Sequence, residues 1–252
     1  MTLAHDLFSR TLAGLTDALR LEEVRATDGG PFLRLQGASS TPTAAAAELG
    51  ALRVYRGPTI EKAVTISLTV PAIALDSHML FVFTAAESPV PHFTLDSVQA
   101  GDAQAFHLDL LPRLDPAHCI PYVDATLAPL TATFESARAT EGLTPARLTP
   151  RQRGLMSPWM LAFRATPDAF RAMGPAVDTY AARFLQLLQE GIPAAALEGA
   201  LPAAMAARDA RCRAALFNPD VDPVWTRVDT LLGAATSARM RELLKMQALP
   251  TM

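Results

Sequence analysis

The stretch PHFTLDSVQAGDAQAFHLDLLPR, residues 91 to 113, carries two runs of alternating side chains separated by a turn. In the first run His92, Thr94, Asp96 and Val98 share one face, and Phe93, Leu95 and Ser97 share the other. Gln99 to Asp102 forms a tight turn. Gln104 to Leu111 then alternates again, with His107 and Asp109 set between Phe106, Leu108 and Leu110. So short a connection joins antiparallel neighbours, because a parallel crossover needs a dozen residues or more. Upstream, Val64, Ile66, Leu68 and Val70 alternate with Thr65, Ser67 and Thr69, the pattern of a half-buried strand. His78 to Thr84 is nearly apolar throughout, as in a strand covered on both faces. Together these segments predict an antiparallel meander.

Helical periodicity lies on either side of it. Leu3, Phe8, Leu12, Leu15, Leu19 and Leu21 recur at helical spacing between Asp6, Arg10, Asp17 and Arg20. After the turn Asp28-Gly29-Gly30-Pro31, Phe32 to Leu35 reads as a strand, and Thr41-Pro42-Thr43 as the cap of an alanine-rich helix. Helical patterns return beyond Pro116, interrupted by the strand-like Trp159 to Arg164, and run at about 175 to 190, 193 to 215 and 223 to 247. No repeat or low-complexity linker divides the chain. The expectation is α+β: one domain over residues 1–252, a three-layer α/β/α sandwich whose central antiparallel sheet has about six strands flanked by helices.

Composition narrows the function. Half of the 252 residues are hydrophobic and 19% are charged, enough apolar material for a packed core. A net charge of -3 and a pI near 5.9 give no global field for nucleic-acid phosphates. Cys119 and Cys212 lie far apart and outside any zinc-ligand spacing, so no metal is expected. No leader pattern opens the chain and no window reaches the roughly 18 apolar residues that span a bilayer. A cytoplasmic protein with reduced thiols, away from membranes, is expected. Dinucleotide loops, phosphate loops, zinc-protease helices and nucleophile elbows are all missing.

What remains is a polar stripe inside an apolar sheet: His92, Thr94 and Asp96 on one strand, His107 and Asp109 on the next. A carboxyl group pressed into apolar surroundings resists ionisation, so it can hold a proton near neutral pH and give it to a substrate. Asp96 is the leading candidate; a solvated strand face is the competing account of it. Asp109, close to a strand end, reads as structural, accepting backbone donors in the following turn. His78 and His107 read equally as core histidines with a satisfied ring nitrogen.

The block from Pro91 to Val98, followed by Phe106 to Arg113, resembles the centre of red chlorophyll catabolite reductase: a P-x-F-x-x-acid strand and then a strand ending L-D-L-L-P-R. Tyr122, Ser157-Pro158 and the strand through Phe163-Arg164 are similar in kind and order. Asp222 stands eleven residues before Gly233, as an aspartate precedes a helix-ending glycine in these enzymes and in the ferredoxin-dependent bilin reductases. The resemblance covers roughly residues 60 to 235. It implies a linear tetrapyrrole such as biliverdin held between the sheet and the C-terminal helices, and no tightly bound cofactor. It also implies single electrons from reduced ferredoxin, and acidic side chains that protonate the radical intermediates. Asp96 and Asp222 are the catalytic positions it marks, with His92, Thr94, Ser67, Met79 and His107 as substrate-binding candidates.

Phycocyanobilin-type bilin reductases carry a glutamate and a histidine on the two strands before Asp96, where ungapped counting finds Ser67 and Met79. His78 is one residue off, and such a slip turns a strand side chain to the other face. The chain is therefore more similar to the chlorophyll catabolite branch. A bilin carrier without reductase activity is the alternative reading, and a hydrolase on the same scaffold a third, for which no nucleophile beside a base is visible. Ferredoxin would dock on the arginines between Arg147 and Arg171, or on Arg208, Arg211 and Arg213; a solvated rim is the competing account of the first group. The resemblance also suggests a homodimer, with the apolar C-terminal helices as interface, although burial within the monomer accounts for them equally well.

Overall fold

A computed structural model describes residues 2–38 and 47–249 of the chain. The opening amphipathic segment is α1 (Leu3–Leu19), started by the Thr2 hydroxyl, which accepts the His5 N–H, and stopped by Arg20 in the left-handed region. Two short strands follow, β1 (Glu22–Val24) and β2 (Leu33–Gln36), and both pair with the long β3 (Glu48–Gly57). The expected cap at Thr41-Pro42-Thr43 lies outside the described residues, and from Glu48 the chain is already extended.

The meander then runs through β4 (Ile60–Val70), β5 (Leu75–Phe83), β6 (His92–Ala100) and β7 (Ala103–Leu111), each antiparallel to the last. Helices α2 (Ile120–Thr126) and α3 (Thr131–Arg138) lead to β8 (Leu143–Pro145), the single turn α4 (Pro150–Arg153) and β9 (Leu161–Ala165). The sheet order is β1-β3-β4-β5-β6-β7-β9-β8 with β2 beside β3, every pair antiparallel. The fold is α+β as expected, but among the described residues the sheet has nine strands rather than about six. The additional ones are β1, β3 and β8, where short or half-exposed pairing leaves no clear alternation to read.

Helices cover both faces of this sheet. On one face α1, α5 (Pro167–Ala172) and α6 (Gly174–Glu190) pack on Leu80, Val82, Phe93, Leu95, Phe106, Leu108 and Leu110. On the other lie α7 (Pro202–Leu216), α8 (Val224–Leu232) and α9 (Ala234–Lys245), two of the three C-terminal patterns having been divided by the fold. The pattern at 193 to 215 begins instead as a 3-10 turn at Ala194–Leu197, and the one at 223 to 247 is broken at Gly233, whose φ of 82° suits glycine.

The second face is not uniform. Over β3, β4 and β5 it is a normal core, with Leu52, Val54, Val64, Ile66, Phe81 and Phe83 packed against Trp225, Val228 and Leu244. Alternation carries that face on to β6 and β7, where the inward positions become His92, Thr94, Asp96, His107 and Asp109. The apolar core therefore ends at β6, and a cleft opens between the sheet and the C-terminal segment.

Candidate active-site cleft

The cleft has a volume of about 270 Å³. Its floor is the sheet, through Met79, Thr94, Asp96, His107 and Ala162, and its roof is Phe217, Val224 and Trp225 with Asp222. A second cavity of about 470 Å³ adjoins it beyond β9, sharing Ala146, Leu148, Met156, Ala162 and Phe163, and carries Arg138 and Arg153 on its walls.

Asp96 sits at the centre of the floor. Strand pairing puts Met79 directly beside it on β5 and His107 directly beside it on β7. Its Oδ1 is buried with no hydrogen-bond partner, and its Oδ2 lies 3.6 Å from His107 Nδ1. Burial, and next the negative charge of Asp222, push the Asp96 carboxyl up to about 7. The side chain keeps 29% of its surface accessible, so water admitted to the cleft moderates that shift and a ligand that expels water restores it. Thr94 Oγ1 and His107 Nε2 are also buried without partners. Three unsatisfied polar atoms on one wall of an apolar cleft are costly in isolation and are the pattern of a surface made for a polar ligand. His107, expected equally as a satisfied core histidine, is thus not one. Burial pushes it down to about 4, so it stays neutral.

Asp222 reaches the cleft from the opposite wall. The turn Asn218 to Asp222 precedes α8, and the Asp222 Oδ1 accepts the Val224 N–H at 3.0 Å and the Gln152 side-chain amide at 3.1 Å. Gln152 is itself held by a capping box on α4, accepting the Thr149 N–H at 2.8 Å while the Thr149 hydroxyl accepts from the Gln152 N–H. Burial raises Asp222, tempered by those two bonds. The S/T-x-x-Q cap at Thr149 is legible in sequence; that its glutamine would position an aspartate seventy residues away is not.

Two of the expected ligand contacts are corrected. Ser67 pairs with His78 and lies on the α1 face, because its register neighbour Ile66, not Ser67, stands beside Met79. There His78 Nδ1 meets the Ser67 hydroxyl at 3.0 Å and its Nε2 meets Asp76 at 3.1 Å. This serine-histidine-aspartate row stacks on Phe8 and takes the Thr2 hydroxyl, so it fastens α1 to the sheet. His92 faces the cleft side but is spent in a buried network. Its Nδ1 accepts the Thr84 N–H at 3.1 Å and its Nε2 meets Asp209 at 2.8 Å.

Asp209 also takes Arg213 at 2.9 Å and the Gln247 amide at 3.0 Å, while Arg113 lies 3.6 Å away. Arg113 and Arg213 are 2% and 0% exposed, so Arg213 is not available for docking a partner, and Arg208 is engaged with the Pro112 carbonyl. Asp109 is structural, as expected, but its donors are Ser157 N–H and Oγ at 2.8 and 2.5 Å rather than the next turn. Arg147, Arg151, Arg153 and Arg164 are exposed, each next in sequence to a residue that lines the cleft. No helix among the described residues is long and apolar enough to cross a membrane, and no cluster of three metal-ligating side chains occurs among them.

Among the described residues, a nine-stranded antiparallel sheet covered by helices on both faces, with a cleft under its C-terminal helices that carries carboxyl groups on opposite walls, defines an α/β/α sandwich. Among solved structures, the chain is similar to phytochromobilin synthase from tomato, crystallised in complex with biliverdin. The TM-score is 0.70 at 14% sequence identity, covering 98% of this chain and 85% of that one. The fold is shared over essentially the whole chain. No family model and no curated protein matches the sequence.

Proposed function

We propose that this protein binds an open-chain tetrapyrrole in the cleft and reduces it, alternating single electrons from reduced ferredoxin with protons from Asp96 and Asp222. The observation that carries the reading is the pair of carboxyl groups with raised proton affinity on opposite walls of one apolar cleft. A reduction that adds electrons one at a time generates basic radical intermediates, and carboxyl groups of raised proton affinity above and below the ligand can protonate them without water. The biliverdin bound by the tomato protein of the same fold supports the ligand class. The adjoining cavity with Arg138 and Arg153 suits the acidic side arms such a ligand bears. No bound cofactor is required in this scheme. Thr94 and His107 supply polar contacts and Met79 an apolar one.

The test is an absorption titration with biliverdin, followed anaerobically after adding a reduced-ferredoxin system, with Asp96→Asn and Asp222→Asn alongside. A saturable spectral shift and conversion that both substitutions suppress support the proposal. Absence of binding overturns it. Binding without conversion in the wild-type protein favours the carrier reading, for which the apolar Ile66 and Met79 on β4 and β5 speak, since those strands offer the ligand no further acid.

A further inference from the structure

We propose that His107 is the positioning partner of Asp96, holding the aspartate's Oδ2 through Nδ1 and presenting Nε2 to an N–H group of the ligand. The proposal rests on the tetrapyrrole reading for its ligand half only; the Asp96 half stands on the apo protein.

The geometry comes from the register of β6 and β7. His107 is the residue paired with Asp96, and both side chains emerge on the cleft face. The separation of 3.6 Å is too long for a hydrogen bond and within one rotamer adjustment of it. The ring's other nitrogen is buried and unpartnered, so the fold leaves it for something that enters the cleft. Few groups compete. On the flanking strands the neighbours are Met79 and Ala162, both uncharged, and from the roof the one titratable group among the described residues lining the cleft is Asp222, which Arg227 faces.

Neutral His107 carries one ring proton. With that proton on Nδ1 it donates to Asp96 Oδ2, leaving Asp96 Oδ1 to carry the acid proton toward the ligand and Nε2 to accept. When a one-electron donor has reduced the ligand, the Oδ1–H bond breaks and the proton bonds to the ligand. The carboxylate left behind keeps its Nδ1–H partner and is reprotonated from water. The imidazole stays neutral throughout, in keeping with its burial. A ligand that sets an N–H beside a proton-accepting atom fits this wall, and one with acceptors alone does not.

The two nitrogens can be separated by substitution. His107→Asn keeps an amide donor near the Nδ1 position and removes Nε2, His107→Gln keeps a group near Nε2 and removes Nδ1, and His107→Phe removes both. The first readout is the titration of the Asp96 carboxyl stretch in ligand-free protein by difference infrared spectroscopy, assigned with Asp96→Asn. The expected result is an upward move of about one pH unit in the Phe and Gln variants and recovery in the Asn variant. The second readout is biliverdin affinity, expected to fall about tenfold in the Asn and Phe variants and less in Gln. Circular dichroism identifies any variant that has not folded. An unmoved titration in all three variants, or the same shift in all three, overturns the coupling. If biliverdin fails to bind even the wild-type protein, the proposed function falls, while the infrared titration still decides the partnership.

Discussion

His92 Nε2 lies 2.8 Å from Asp209 Oδ1, a bond between residues 117 apart in sequence that ties the sheet below the cleft to the helices above it. Burial opposes ionisation of Asp209, yet the bond to His92 and the charges of Arg213 and Arg113 hold its carboxyl well below the usual range. Removing that charge would leave two buried guanidinium groups without a counter-ion. Asp209→Asn is expected to cost about 3 kcal/mol, read as a lower urea midpoint at unchanged slope. A change under about 0.5 kcal/mol would show that the network is slack.

Asp96 should act on stability in the opposite sense. Its folded pKa, about 7, lies above the ordinary 3.8, so between those values the native state holds a proton that the unfolded chain has lost. Stability from this group is complete below about pH 4 and declines as pH rises to 7. Asp96→Asn therefore leaves stability unchanged at pH 4 and raises it by about 2 kcal/mol at pH 8; the full shift would give roughly 4, and access of water to the cleft reduces it. Denaturation at the two pH values checks this, and a gain equal at both would contradict the assignment.

Gly50 makes a different kind of prediction. A Cβ built there would lie 1.9 Å from the Ser67 carbonyl oxygen, backbone that cannot swing aside. Gly50→Ala must push β3 from β4 and should lower stability by about 3 kcal/mol. Gly101, with open space around its Cβ but φ at +59°, should cost only about 1 kcal/mol as alanine. Thermal unfolding of both variants tests the ranking.

Docking of an acidic electron donor is a surface question. Arg147, Arg151, Arg153 and Arg164 are exposed, each next in sequence to a residue that lines the cleft, so the rate with ferredoxin should fall as salt is added. The double variant Arg147→Glu, Arg151→Glu should lose about tenfold in kcat/KM for ferredoxin at low salt, with biliverdin affinity intact. Rates insensitive to both salt and these substitutions would remove this face from the docking site.

The strands of the meander were legible because alternation is a local signal: Phe93 and Leu95 must point one way if Thr94 and Asp96 point the other. For the same reason α1, α6 and the C-terminal helices could be read from their apolar spacing. β1 and β8 could not, since three residues carry no period and their pairing with β3 and β9 is set by partners distant in sequence.

The candidate site divides in the same way. The sequence determined that polar groups interrupt the core-facing positions of β6 and β7, and with them Asp96 and His107. Only the tertiary structure decided which of those groups are free. His92 is consumed by Asp209 from α7, Asp109 by Ser157, and Ser67 is turned to the α1 face, whereas Thr94, Asp96 and His107 each keep a buried polar atom without a hydrogen-bond partner. The reason is physical. A residue's face follows from its own neighbours in the chain, but its hydrogen-bond balance depends on every group brought within about 3 Å by folding.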